Sequence, residues 1–134
     1  MFTPMSVFTS FSVDDITSAK EFYSKTLGLT VDQSEMGLMI TYPGGGRGFV
    51  YPKDNHQPAS FTVLNFAVSD IDDAVAELTN RGVKFEQYKD GPIQTDDSGI
   101  ARGRSTNMGP DIAWFKDPAG NIISVLAGDD IPKK

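Results

Sequence analysis

The sequence predicts an α+β fold built from two βαβββ modules, each a short, curved mixed sheet carrying one helix. Three observations predict it. The stretch Phe11–Ala19 is written again as Phe66–Ala74, with Phe11, Val13, Asp15, Ile16 and Ala19 matching Phe66, Val68, Asp70, Ile71 and Ala74. In both copies, alternation of period two gives way to an apolar stripe of helical period. Three further short alternating runs follow each stripe.

The opening strands are expected over Val7–Val13 and Thr62–Val68, where β-branched and aromatic residues alternate with small or polar ones. On this alternation Phe11 and Phe66 pack beneath the helices. Phe8 and Ser10, and likewise Val63 and Asn65, share the opposite, open face. In the second copy Ile71, Ala74, Val75 and Leu78 form the helical stripe. Asp70 is the expected N-cap, Asp72 and Asp73 favour the positive end of the helix dipole, and Asn80-Arg81-Gly82 ends the helix. In the first copy Ile16, Ala19, Tyr23 and Leu27 form the stripe, Ser18 and Glu21 have capping-box spacing, and Gly28 is the stop.

The remaining strands are expected at Leu29–Gln33, Gly37–Tyr42 and Gly48–Tyr51, then at Lys84–Tyr88, Asp111–Lys116 and Ile122–Ala127. Asp117-Pro-Ala-Gly-Asn121 is a hairpin turn, with Pro118 presetting φ and Gly120 accepting a positive φ. Gly44-Gly-Gly-Arg-Gly48 reads as a simple turn, since no helix or Gly-Lys-Ser/Thr ending follows it. Residues 1–134 are expected to form a single domain, with module one at 6–53, a linker at 54–60 and module two at 61–127. Gly91–Pro110 is a long polar loop, a length that is often functional.

Composition narrows the function. The chain of 134 residues is 39% hydrophobic and 22% charged, with a formal charge of −6, so it can bury a core. Its acidity argues against a nucleic-acid partner and against docking on an anionic membrane. With no cysteine, thiolate chemistry, disulfides and iron–sulfur clusters are excluded, and a cytoplasmic location fits. With one histidine, His56, no metal site can be built from two imidazoles of one chain. Residues 1–13 lack the basic start and continuous apolar block of a signal peptide, and no apolar run is long enough to span a membrane.

Three motifs carry the rest. Val13-Asp-Asp-Ile16 leads into Phe22-Tyr-Ser-Lys-Thr-Leu-Gly-Leu29; Val68-Ser-Asp-Ile71 leads into Ala74-Val-Ala-Glu-Leu78 and Gly82-Val83; and Trp114-Phe-Lys-Asp-Pro-Ala-Gly-Asn-Ile-Ile123 closes the second copy. On these, over roughly residues 6–127, the chain resembles the vicinal-oxygen-chelate superfamily of glyoxalases, bleomycin-resistance proteins and extradiol dioxygenases. The resemblance implies metal ligands on the first and last strands of each module. The corresponding positions here are Phe8, Val63, Ser124 and either Phe49 or Tyr51. Phe and Val have no donor atom, and Ser and Tyr are poor ligands for a divalent ion. The expectation is therefore no metal and no cofactor.

The preferred function is binding of a small, partly apolar organic molecule, in the manner of bleomycin-resistance-like members. Two alternatives stand beside it: a glyoxalase- or dioxygenase-like enzyme with its metal at an unusual place, and an interaction scaffold whose concavity is filled by the chain itself. The expected ligand contacts are Phe8, Ser10, Phe49, Tyr51, Val63, Asn65, Trp114 and Ser124, with Trp114 as the stacking surface. His56 is either a base or donor at the pocket mouth or a solvated loop histidine. Arg102 and Arg104 either clamp an anionic group or form ordinary surface pairs. A homodimer is expected, because family members commonly pair.

Overall fold

The computed structural model describes residues 1–128 and divides the chain into two compact units, Met1–Pro58 and a second beginning at Ala59. Each holds a four-stranded mixed sheet and one helix, an α+β layout.

In the first unit β1 (Thr9–Val13), α1 (Ile16–Glu21), β2 (Thr30–Ser34), β3 (Gly37–Thr41) and β4 (Arg47–Pro52) make a sheet of order β1-β4-β3-β2. The β1–β4 pair is parallel and the others antiparallel. Strand β1 starts two residues later than the alternation predicts, because its ladder with β4 begins at Thr9 opposite Gly48. Val7 and Phe8 precede it without a partner strand, and Phe8 is 52% exposed.

The cap of α1 is Asp15, not Ser18. Asp15 holds an extended backbone, and its carboxylate accepts from the Thr17 and Ser18 N–H groups. Ser18 is thus already inside the first turn, so the expected capping box does not form. After Glu21 the helix widens into a π-turn over Phe22–Thr26, with the Leu27 N–H donating to the Phe22 carbonyl. Tyr23 is fully buried there and packs against Phe11 at 6.0 Å between ring centroids. Val13, Leu38, Ile40 and Val50 complete this core.

In the second unit β5 (Thr62–Val68), α2 (Ile71–Asn80), β6 (Ile100–Arg102), β7 (Asp111–Lys116) and β8 (Ile122–Ala127) give the order β5-β8-β7-β6. The expected cap of α2 is present: Asp70 accepts from the Asp73 N–H. Phe115, Ile123 and Val125 are buried on the helix side of the sheet, and Phe115 meets Phe85 edge-on at 5.4 Å. The β7–β8 turn closes on Asp117, whose carboxylate accepts from the Ala119 and Asn121 N–H groups, with Gly120 at φ 85°.

Two expectations change here. Lys84–Tyr88 does not form a strand; it contributes a single bridge between Phe85 and Phe115. The strand instead lies at Ile100–Arg102, inside the segment expected to be loop. Both pieces lie along the same edge of β7, at Phe115 and at Asp111–Ala113. Residues 87–99 leave that edge and return to it. The Thr95 N–H donates to the Tyr88 carbonyl and the Asp96 N–H to the Ile100 carbonyl, which closes the excursion. Its last turn requires Gly99, at φ 92°, because a Cβ there would lie 2.8 Å from Phe85 Cβ.

The second change is a bulge. Thr62 pairs with Ile122 and Leu64 with Ile123, so Val63 is an extra residue without a partner on β8. Thr62, rather than Val63, therefore shares the open face with Asn65.

Candidate functional site

In the second unit the open face is set by the ladder β7–β8, where Trp114 pairs with Ser124 and Ile112 with Leu126. Ser124 is fully buried, and its hydroxyl donates to Asn65 Oδ1 at 2.6 Å. The Trp114 indole N–H donates to Thr62 Oγ1 at 3.2 Å, an arrangement the bulge makes possible. Tyr88 meets the same indole edge-on at 5.7 Å. Trp114 is thus held by one hydrogen bond and one ring contact, which fixes its plane.

Beside it lies a cavity of about 680 Å³, within the roughly 300–1,000 Å³ common for small-molecule sites. Ala101, Ile112 and Trp114 form its floor, and the two limbs of the loop around β6 form its walls, including Ile93, Thr95, Met108 and Pro110. Ile93 and Met108 expose apolar surface. A second depression of about 690 Å³ lies on the helix side, between α2 and residues 82–87.

Arg102 borders the first cavity, but it stands opposite Asp111 in the β6–β7 ladder, so its side chain lies on the helix side of the sheet, and there its guanidinium is engaged. It donates from Nη2 to Asp72 Oδ1 at 2.7 Å, from Nη1 to Asp72 Oδ2 at 3.2 Å, and from Nε to Asp96 Oδ2 at 3.1 Å. Asp111 stands 3.8 Å away. The hydrogen bonds from Arg102 hold the Asp72 carboxyl below its ordinary range. Partial burial alone would raise Asp96, but hydrogen bonds from the Ile100 N–H, Arg102 and the Ser98 N–H outweigh it and lower that group as well. The carboxylates in turn raise Arg102, chiefly through the bonds to Asp72. Arg104 is exposed, and its backbone N–H donates to Asp111 Oδ1.

The first unit places Ser10, Ser12, Met39, Phe49 and Tyr51 on the face away from its helix, since Ser10 pairs with Phe49, Ser12 with Tyr51 and Met39 with Phe49. The Phe49 and Tyr51 rings stack at 6.2 Å. His56 is half-buried rather than free in solvent, with Nδ1 hydrogen-bonded to Ser12 Oγ at 2.6 Å.

Of the eleven candidate residues named from sequence, Trp114 and Arg102 border the 680 Å³ cavity; Asn65 and Ser124 lie on the same sheet face as Trp114. Phe8, Ser10, Phe49, Tyr51 and His56 belong to the first unit. Sequence reasoning missed Thr62, Asp96, Ile112 and the carboxylates around Arg102. The run Asp96-Asp97-Ser98-Gly99 is a legible turn signal, but three strand residues after it are too few to register as alternation.

The four positions at which the resemblance implies metal ligands do not fit a divalent ion. Phe8 and Val63 have no donor, Phe49 and Tyr51 stack on each other, and the Ser124 hydroxyl is committed to Asn65. Among the described residues, no group of three or more His, Asp or Glu side chains is placed to hold a metal.

The profile of the Glyoxalase/Bleomycin resistance protein/Dioxygenase superfamily matches residues 7–125. Several solved structures are similar. TnmS3, an antibiotic binding protein from Streptomyces sp. CB03234, is 24% identical, with 94% of this chain and 98% of that one covered at a TM-score of 0.62. A glyoxalase/bleomycin resistance protein from the same source is 25% identical, covering 90% and 99% at 0.57. FosX, a fosfomycin resistance protein from Listeria monocytogenes, is 14% identical, covering 96% and 95% at 0.64. Comparison with curated proteins finds no match.

Proposed function

Because the chain belongs to the Glyoxalase/Bleomycin resistance protein/Dioxygenase superfamily, we propose that it binds a small, partly apolar organic molecule without the metal that the superfamily's enzymes usually hold. The observation that carries this reading is the 680 Å³ cavity floored by an immobilised Trp114 and walled by apolar loop residues. The chemistry at Phe8, Val63 and Ser124 supports the metal-free part. The antibiotic-binding description of TnmS3 agrees with a binding role.

Trp114 is the single tryptophan of the chain, so its fluorescence reports on this cavity alone. A small uncharged aromatic such as 1-naphthol added to dialysed protein is expected to change that emission saturably. Trp114→Ala is expected to weaken binding, followed by calorimetry, by about 1–3 kcal/mol. Saturable binding of equal strength in Trp114→Ala would move the site elsewhere. Elemental analysis finding one zinc, iron or manganese per chain would overturn the metal-free reading.

The same reading includes a homodimer, supported by the exposed apolar run of Phe2, Met5, Val7 and Phe8. Sedimentation at micromolar concentration is expected to give twice the 14.6 kDa chain mass, and a monomer mass would refute it. No described helix is long and apolar enough to cross a membrane. A cytoplasmic location is proposed from the absence of cysteine, and cell fractionation tests it.

A further inference from the structure

Taking the small-molecule reading of the second unit's cavity as its basis, we infer that the ligand is a flat, uncharged or cationic aromatic and that the cavity selects against anions. An arginine lining a cavity in an acidic protein invites the opposite conclusion, that it clamps a carboxylate or phosphate. The geometry removes that option. Both Nη atoms of Arg102 are taken by Asp72, Nε is taken by Asp96, and Asp111 faces the same group at 3.8 Å. The group lies on the helix side of β6, across from Asp111, so it does not present its charge to a ligand on the Trp114 face.

No other cation supplies what Arg102 withholds. Lys89 donates to the Thr95 carbonyl at 3.0 Å and pairs with Asp97 at 3.5 Å. Arg104 is absent from the cavity wall. The charged groups of residues 89–111 together with Asp72 are five carboxylates (Asp72, Asp90, Asp96, Asp97, Asp111) against three cations (Lys89, Arg102, Arg104). The local field therefore repels negative charge.

The hydroxyls of the wall and the indole N–H are also committed. Thr95 Oγ1 accepts from the Tyr88 N–H at 2.9 Å. The Ser105 hydroxyl donates to the Arg102 carbonyl, and the Thr106 hydroxyl to the Gly103 carbonyl. The indole N–H of Trp114 belongs to Thr62. What remains for a ligand is the indole face with Ile93, Ile112 and the Met108 thioether, beside the uncharged Gln94 amide, a surface suited to stacking, sulfur–aromatic contact and, for a cation, cation–π attraction.

A matched pair of probes tests this. N-phenyl-1-naphthylamine is uncharged, and 8-anilino-1-naphthalenesulfonate is the same scaffold with one negative charge. Each is titrated into the wild-type chain at low salt while energy transfer from Trp114 is followed. The expected result is saturable transfer to the neutral probe and about tenfold weaker binding of the sulfonate, the gap closing in molar salt as screening removes the field. Asp72→Asn, which keeps shape and removes one carboxylate outside the cavity, is expected to raise sulfonate affinity about threefold and leave the neutral probe unchanged. Equal or tighter binding of the sulfonate by the wild type overturns the inference and leaves the small-molecule reading standing. So does an Asp72→Asn variant whose sulfonate affinity is unchanged. Absence of energy transfer to either probe overturns the reading of the cavity itself, and the inference with it.

Discussion

The two units follow one programme and diverge at one edge. In the first, β2 is an uninterrupted five-residue strand that pairs with β3 along its length, from Thr30 opposite Thr41 to Ser34 opposite Gly37. In the second, the equivalent edge of β7 is occupied by two fragments, Phe85 and Ile100–Arg102, and the chain between them swings out and back. That excursion and the segment after β6 provide most of the wall of the 680 Å³ cavity. The difference teaches where function enters a repeated fold. The repeated part answers to packing, and the interruption, freed from the ladder, supplies a shaped wall.

The most disruptive test strikes the part the units share. Tyr23 and Phe115 are both 0% exposed to solvent. Tyr23→Ala and Phe115→Ala are each expected to destabilise the unit that carries them by about 3–5 kcal/mol, read by hydrogen exchange resolved by segment. A much smaller loss at Tyr23 would mean that the π-turn repacks, and that the two cores are not equivalent.

Next comes a position with no counterpart in the first unit. Gly99→Ala forces a Cβ against Phe85 at a positive φ and is expected to cost about 1–3 kcal/mol. Trp114 emission and denaturant titration together check it. Loss of stability with unchanged Trp114 emission would separate the excursion from the cavity.

The helix caps sharpen the comparison further. Asp15→Ala and Asp70→Ala should each cost about 1 kcal/mol, because both carboxylates accept first-turn N–H groups. Ser18→Ala, at the position that capping-box spacing favours, should change stability by less than about 0.5 kcal/mol. Thermal denaturation distinguishes the three.

The smallest effect is pH-dependent and belongs to the second unit. Asp72 and Asp96 titrate below their ordinary values when folded, so their contribution is fully present above the unfolded carboxylate range, about pH 4. It is lost as pH falls through the depressed folded values, while Arg102 stays charged. Trp114 emission should therefore report loosening of the second unit below about pH 4 before exchange in the first unit rises, and added salt should shrink the difference. Simultaneous loosening would assign acid sensitivity to the shared fold instead.

The sequence by itself determined what neighbouring residues decide. The duplication is read by matching residues 11–19 to 66–74, and the strands Thr62–Val68, Asp111–Lys116 and Ile122–Ala127, the Asp70 cap and the Asp117–Asn121 turn rest on spacings of one to four residues; both are legible without knowing what packs where. Tertiary structure alone decided the rest. Val63 becomes a bulge because β8 offers one residue where β5 offers two. His56 meets Ser12 across 44 positions, and Arg102 meets Asp72 across 30. The strand at Ile100–Arg102 exists because the edge of β7 was open beyond Phe85. A free sheet edge and a charge partner on another element are properties of the assembled fold, and no local pattern encodes them.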